Sequence, residues 1–149
     1  MKKVMFVGAV GVGKTTLTQR LKGVDISYHK TQAIQFHQEI IDTPGEFLQH
    51  REFYQALMVT SAEADVVGLL LAATEKQQIF PAGFVSLFNK PVIGVITKMD
   101  LLEEGGERRL AMLENQLRSA GAKEIFKISS VENQGIQALR QYLGADDVE

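Results

Sequence analysis

A glycine-rich loop constrains this chain more than any other feature. The loop, GAVGVGKT at Gly8–Thr15, lies between the apolar run Val4–Val7 and a stretch with helical character, TLTQRL. This order predicts strand, loop and helix, the context in which G-x-x-x-x-G-K-[ST] binds phosphate. Its glycines allow the backbone N–H groups to point inward, and a helix that begins near Lys14 adds its positive dipole end. An ordinary glycine-rich turn is the alternative, and the strand and helix context disfavours it.

The loop motif assigns roles to individual residues. The ammonium group of Lys14 is predicted to reach the β- and γ-phosphates, and the hydroxyl of Thr15 is predicted to bind Mg²⁺. The other predicted nucleotide contacts in this segment are Gly8, Val10, Gly11, Val12, Gly13 and Thr16.

Composition narrows the class of protein. With 149 residues, 45% of them hydrophobic, one domain is expected over residues 1–144, followed by a frayed tail at 145–149. A net charge of −2 gives no broad field for nucleic acid or an anionic membrane, and neither is an expected partner. The absence of cysteine excludes disulfides and fits a cytoplasmic protein. The apolar run Val66–Ala73 is too short to cross a bilayer.

Apolar runs alternate with helical stretches along the whole chain, which predicts an α/β fold of three layers with a mainly parallel sheet of five to six strands. The predicted strands are Lys3–Val7, Glu39–Ile41, Val66–Leu71, Pro91–Ile96 and Glu124–Ile128. The predicted helices are Lys14–Lys22, Gln49–Ser61, Gln77–Phe88, Glu107–Ala120 and Gly135–Leu143. In such a sheet the ligand binds at the carboxyl ends of the strands.

The second predicted strand ends in the segment DTPG. Asp42 is a candidate ligand of Mg²⁺, usually through water, and the amide of Gly45 can donate to a γ-phosphate oxygen. D-x-x-G alone is weak evidence, because Asp, Pro and Gly all form turns. Its place behind a buried strand, 27 residues after Thr15, favours the nucleotide role.

Two later strand ends predict a base site. Asp100, in the segment TKMD, can accept hydrogen bonds from N1–H and the 2-amino group of guanine, which adenine does not offer in that arrangement. The mismatch with adenine costs on the order of several kcal/mol. Lys98 is expected to lie along the base and support the phosphate loop, and backbone N–H groups around Ser130 can meet the guanine O6. The predicted base-side contacts are Thr97, Lys98, Asp100, Ser129 and Ser130.

Together the segments GAVGVGKTTL, KTQAIQF, IIDTPGE and TKMD resemble the small GTPase superfamily of P-loop proteins over essentially the whole chain. The closer resemblance is to the EutP/PduV family of ethanolamine- and propanediol-utilisation GTPase-like proteins, which is tied to bacterial microcompartments. This resemblance implies that Thr31 is the switch threonine, which touches Mg²⁺ and senses the γ-phosphate. It also implies a location in the cytoplasm with association to a microcompartment.

The sequence departs from fuller GTPases in two places. Asp42 follows Thr31 by only 11 positions, so a stunted extra strand is expected at Ala33–Phe36. Glu46 stands where many relatives carry a water-orienting glutamine, and its carboxylate repels the γ-phosphate unless a cation compensates. The expected catalytic group is Lys14, Thr31, Gly45 and Glu46, with the role of Glu46 open.

Val10 stands where some relatives carry a glycine that makes room for an arginine finger, and Gly11 replaces the asparagine found in potassium-using relatives. Slow, Mg²⁺-dependent GTP hydrolysis is therefore expected.

The expected function is that of a guanine-nucleotide switch or accessory factor in ethanolamine or propanediol metabolism. Two alternatives stay open. One is a phosphotransferase acting on a small acid such as acetate, and the other is a nucleotide-dependent module that targets a partner such as a microcompartment shell or enzyme. The sequence leaves the oligomeric state open.

Overall fold

A computed structural model describes residues 2–21, 40–43 and 51–144, with Asp42 described by its backbone alone. Within these ranges no helix is long and apolar enough to cross a membrane. The described ranges contain nine helices and strands, in the order β1 (Val4–Gly8), α1 (Lys14–Leu21), β2 (Ile40–Asp42), α2 (Tyr54–Ser61), β3 (Val66–Ala72), β4 (Val92–Thr97), α3 (Glu107–Ala120), β5 (Ile125–Lys127) and α4 (Ile136–Leu143).

The five strands form one sheet in the order β2-β1-β3-β4-β5, and every neighbouring pair is parallel. All residues of β1, β3 and β4 are buried. Burial on both faces explains why these strands are continuous apolar runs without alternation. The predicted α/β fold with a parallel sheet is confirmed. The extra strand expected at Ala33–Phe36 lies outside the described residues.

Successive residues of a strand point to opposite sides of the sheet, so these apolar strands present apolar side chains on both faces. Helices cover both of them. On one face, Leu17 and Leu21 of α1 and Leu139 of α4 pack in a cluster that includes Phe6 and Val95. On the other face, α2 and α3 contribute Leu57, Leu113 and Leu117 to a cluster that includes Met5 and Leu69. The result is the three-layer arrangement expected for alternating strands and helices.

The predicted helix over Gln77–Phe88 is wrong. This segment contains only one turn of 3-10 helix, Phe84–Leu87. Pro81 has no N–H to donate, and Gly83 has a φ of +75°, outside the helical region. Phe80, Phe84 and Phe88 nevertheless pack together, with ring centroids 5.3 and 5.6 Å apart. A spacing of four residues is typical of one face of a helix, but here an irregular segment delivers the three rings to the core.

Two helix starts also differ from the predictions. A 3-10 turn over Arg51–Phe53 precedes α2, which begins at Tyr54, while Gln49 and His50 lie outside the described residues. α4 begins at Ile136, one residue after Gly135.

Candidate functional site

The glycine loop connects the end of β1 at Gly8 to the start of α1 at Lys14, as predicted. Gly11 and Gly13 have φ angles of +83° and +99°, a region in which residues with a Cβ are strained. The N–H of Val12 donates to the carbonyl of Ala9 at 3.2 Å and closes a turn. This backbone is the kind of concave surface that binds an anion, so the segment fits a phosphate group.

The residues of the loop that are predicted to contact the nucleotide differ in the exposure of their side chains. The side chain of Val12 is 5% exposed and packs in the core, so Val12 can contribute only backbone to a ligand. Val10 is 67% exposed, while Thr16 is half-buried in the first turn of α1.

Lys14 joins the ends of two neighbouring strands. Its ammonium group donates to the carbonyl of Gly8 at 3.2 Å and also to the carbonyl of Thr43. The hydroxyl of Thr43, which is buried, donates in turn to the carbonyl of Phe6 at 2.8 Å. The position of the lysine therefore depends on Thr43, the second residue of the DTPG segment, which directly follows β2.

The end of β4 supports the glycine loop through two consecutive side chains. The hydroxyl of Thr97, 2% exposed, donates to the carbonyl of Val12 at 2.6 Å. The ammonium group of Lys98 donates to the carbonyl of Gly11, also at 2.6 Å. Lys98 has a φ of +60°, an uncommon conformation for a residue with a Cβ, and such conformations concentrate at functional sites.

Asp100 is held by a neighbour from the predicted base site. The buried hydroxyl of Ser129 donates to Oδ1 of Asp100 at 2.7 Å, and the same oxygen of Ser129 accepts the N–H of Glu132 at 3.1 Å. These two bonds orient the carboxylate at the carboxyl end of the sheet. A fixed carboxylate is the acceptor that a guanine edge requires, so the residues fit that base. Ser130, the last predicted base contact, directly follows Ser129 in this loop.

The structure describes only some of the residues that are predicted to bind the metal or to take part in catalysis. Thr15 is exposed in the first turn of α1, and the backbone of Asp42 is in register with Phe6 of β1. A hydroxyl and a carboxylate are hard oxygen donors suited to Mg²⁺. Thr31, Gly45 and Glu46 lie outside the described residues. Among the residues that are described, no group of three His, Cys, Asp or Glu side chains could hold a metal ion.

The predicted contacts and the larger cavity do not coincide. A cavity of about 800 Å³ lies between the segment after β3, the segment after β4 and the start of α3, and none of the predicted site residues line it. A smaller pocket of about 100 Å³ is lined by Val10, Gly11, Val12 and Lys98 among others. We take the loop and strand ends as the site, because size alone does not supply the required donors and acceptors.

The family model for ethanolamine utilisation and propanediol utilisation proteins, PduV-EutP, matches residues 1–145. The chain belongs to the PduV-EutP family. It is 40% identical over 147 residues to the propanediol utilization protein PduV of Citrobacter freundii, covering 99% of this chain and 96% of the relative. It is 37% identical over 148 residues to a protein of Salmonella typhimurium named "Probable acetate kinase EutP", covering 97% and 91% of the two chains.

Solved structures with the same fold include GTPases. An Era variant from Aquifex aeolicus bound to GDP and AlF4⁻ aligns with a TM-score of 0.64 at 24% identity, covering 100% of this chain and 59% of that one. The translation elongation factor SelB of Methanococcus maripaludis, in complex with a GTP analogue, has a TM-score of 0.62 at 19% identity, covering 99% and 35%. This PduV-EutP protein therefore has the fold of P-loop GTPases, and family and fold together support a nucleotide-binding role.

One residue beside the predicted base site of this PduV-EutP protein, Arg20, was not among the residues predicted from the sequence. Arg20, in the last turn of α1, donates from Nε to the carbonyl of Ser130 at 2.6 Å and from Nη2 to the carbonyl of Val131 at 3.3 Å. In the sequence it is only a basic residue near a helix end, which is common. Its partners are 110 and 111 positions away, so no local pattern indicates them.

Proposed function

We propose that residues 1–144 act as one domain that binds a guanine nucleotide with Mg²⁺ and hydrolyses GTP slowly. The observation that carries this proposal is that the end of β4 bonds both the loop after β5 and the glycine loop. Asp100 is oriented by Ser129 at 2.7 Å, and two residues earlier Lys98 bonds the glycine loop at 2.6 Å. The predicted base site and the glycine loop are thus both connected to the end of β4, which supports binding of a whole nucleotide across them.

Selection of guanine follows from the chemistry of Asp100. Its carboxylate accepts from N1–H and the 2-amino group of guanine. Adenine places an acceptor where N1–H would be and has no 2-amino group, so the carboxylate faces a repulsive atom. Leaving such a group without donors costs on the order of several kcal/mol. Backbone N–H groups of the loop at Ser130 complete the contact by donating to O6.

At the phosphate end, the N–H groups of Gly8–Thr16 hold the oxygens, and Lys14 moves from its carbonyl acceptors to the β- and γ-phosphates. Thr15, Thr31 and Asp42 are the proposed ligands of Mg²⁺, an ion that neutralises charge on the phosphates. Gly45 donates to the γ-phosphate. Glu46 is the proposed water-facing group, and the repulsion between its carboxylate and the γ-phosphate is the reason we expect slow cleavage.

The description of the family, ethanolamine utilisation and propanediol utilisation, supports a role in the use of those compounds. We propose a switch or accessory role there. Loops around Thr31 and Gly45 are ordered by the γ-phosphate and released after hydrolysis, so a microcompartment shell or enzyme partner distinguishes the two states. The small net charge of −2 argues against nucleic acid as that partner.

Titration calorimetry with GTP, GDP and ATP in the presence of Mg²⁺ tests the base preference. The guanine nucleotides are expected to bind and ATP to bind at least about tenfold more weakly. Asp100→Asn is expected to weaken GDP and admit xanthosine diphosphate, because an acceptor becomes a donor. Glu103→Gln, an exposed carboxylate three residues further on, is the matched control and should change neither. Equal binding of ATP and GTP by the wild type would refute the role of Asp100.

The name of the Salmonella typhimurium relative favours one second candidate, phosphoryl transfer to acetate. In that reaction an acetate oxygen forms a bond to the γ-phosphorus, the bond to the β,γ-bridging oxygen breaks, and acetyl phosphate and a nucleoside diphosphate leave. Trapping acetyl phosphate with hydroxylamine after incubation with acetate and either GTP or ATP measures it. Acetate-dependent formation of acyl hydroxamate at a rate above GTP hydrolysis would favour the kinase over the switch.

A further inference from the structure

Arg20 reaches the base-side loop from the opposite end of the helix that begins at the phosphate loop. α1 starts at Lys14 and ends at Leu21, a rise of about 10 Å. The guanidinium group is half-buried and binds two successive carbonyls, those of Ser130 and Val131. A planar group with several donors in fixed directions suits two adjacent carbonyls better than an ammonium group does.

Those two bonds also fix the direction of the N–H groups that follow the two carbonyls in the chain. In a trans peptide the carbonyl and the following N–H point in opposite directions, and no cis peptide bond occurs among the described residues. The carbonyl of Val131 points to Arg20, so the N–H of Glu132 points away from it, and that N–H donates to Oγ of Ser129 at 3.1 Å. By the same geometry, the carbonyl bond at Ser130 turns the N–H of Val131 away from Arg20.

The chain of contacts continues to Asp100, the carboxylate that is proposed to bind the base. Oγ of Ser129 accepts from Glu132 and donates to Oδ1 of Asp100 at 2.7 Å. An accepted bond from Glu132 leaves the hydroxyl proton of Ser129 directed to Asp100. We infer that Arg20 is a positioning residue for guanine recognition, acting through the peptides 130–132 and Ser129 on Asp100. This inference rests on the proposed binding of a guanine nucleotide.

Other contacts already hold the helix and the ends of the loop. Arg140, which is buried, donates to the carbonyl of Leu21 at 2.6 Å and thereby fixes the end of α1 to α4. Ser129 and Gln134 exchange two backbone hydrogen bonds of 2.9 Å each, which close the loop at its base. What remains for Arg20 to set is the orientation of the peptides between these anchors. Its loss is therefore expected to affect the base edge more than the fold or the phosphate loop.

The test compares Arg20→Ala with the wild type by calorimetry, using Mg-GDP and Mg-pyrophosphate. Arg20→Ala is expected to weaken GDP about tenfold and to leave pyrophosphate within about twofold. Arg20→Lys keeps the charge but not the planar group of donors, and it is expected to bind GDP about threefold more weakly than the wild type. This variant tests the inference if the alanine variant does not fold. Arg118→Ala is the matched control, because Arg118 is exposed in the last turn of α3 just as Arg20 lies in the last turn of α1.

A double-mutant cycle with Ser129→Ala tests the route. If Arg20 acts through Ser129, the double variant loses less GDP affinity than the sum of the two single losses in free energy, whereas independent effects add. Unchanged GDP binding by Arg20→Ala, equal weakening of GDP and pyrophosphate, or additive losses in the cycle would each overturn the inference. Absence of GDP binding by the wild type would instead overturn the proposed function.

Discussion

Replacing Thr97 with valine isolates the contribution of one buried hydroxyl to the shape of the phosphate loop. The two side chains are nearly equal in volume, so the substitution leaves no cavity at this position in β4. It removes the donor to the carbonyl of Val12, a bond of 2.6 Å made by a residue that is 2% exposed. The carbonyl of Val12 then lacks this donor.

The cost follows from that unsatisfied acceptor. A buried polar group that loses its partner costs about 1–3 kcal/mol, so we expect a loss of about 2 kcal/mol in the free energy of unfolding. For a chain of this size, that corresponds to a fall of about 4–8 °C in Tm. Urea titration followed by circular dichroism, together with a thermal melt, measures both values. GDP binding should weaken as well, because Val12 lies within the loop.

Thr60→Val provides a matched control. The hydroxyl of Thr60 donates to the carbonyl of Ala56 at 2.7 Å, four residues earlier in α2. In a helix that carbonyl also accepts a backbone N–H, so it keeps a partner after the substitution. The expected cost is below about 0.5 kcal/mol. The reasoning is refuted if Thr97→Val destabilises the protein no more than Thr60→Val does.

Three further predictions address the fold and the reaction. Gly135 and Gly144 have φ angles of +74° and +76°, and only at Gly135 would an added Cβ collide with a backbone carbonyl, that of Lys127. Gly135→Ala should therefore cost at least about 1 kcal/mol more than Gly144→Ala in urea titrations, and equal costs would contradict this. Burial raises the pKa of Tyr142 above its ordinary value of 10.0. The neutral ring is thus favoured in the folded state, and unfolding titrations should show the wild type losing stability relative to Tyr142→Phe as pH rises above about 10, with no divergence below it. Single-turnover cleavage of GTP with Mg²⁺ should proceed at about 10⁻⁴ to 10⁻² s⁻¹, and a rate above about 1 s⁻¹ without a partner would exclude slow unaided hydrolysis.

The parts of the fold that sequence predicts well are those with local causes. β1, β3 and β4 are runs of apolar residues long enough to be strands and too short to be helices, and each lies within one or two residues of its predicted position. α3 begins and ends as predicted, because Gly121, with a φ of +114°, stops a regular amphipathic pattern. The segment Gln77–Phe88 fails for the opposite reason. Its shape depends on Gln116 of α3, whose Oε1 accepts the N–H groups of Ile79 and Phe80.

The candidate site also has parts that the sequence predicts and connections that it does not. The phosphate loop is predictable because strand, glycines and lysine are contiguous, and Asp100 because it follows a buried strand. Their connections are not predictable, since Thr97 and Val12 are 85 positions apart. Arg20 contacts its partners only once α1 and the loop before α4 have packed on the same face of the sheet.

The lengths of the outer strands bear on the tendency of this sheet to self-associate. β2 and β5, which flank the sheet in the described part of the chain, have three residues each. β5 ends with an exposed lysine, Lys127, whose ammonium group lies 2.7 Å from Glu114 of α3. An unpaired strand can serve as a template for another chain, and shortness and lysine both oppose that. Three apolar inner strands are thereby kept from seeding intermolecular β-structure.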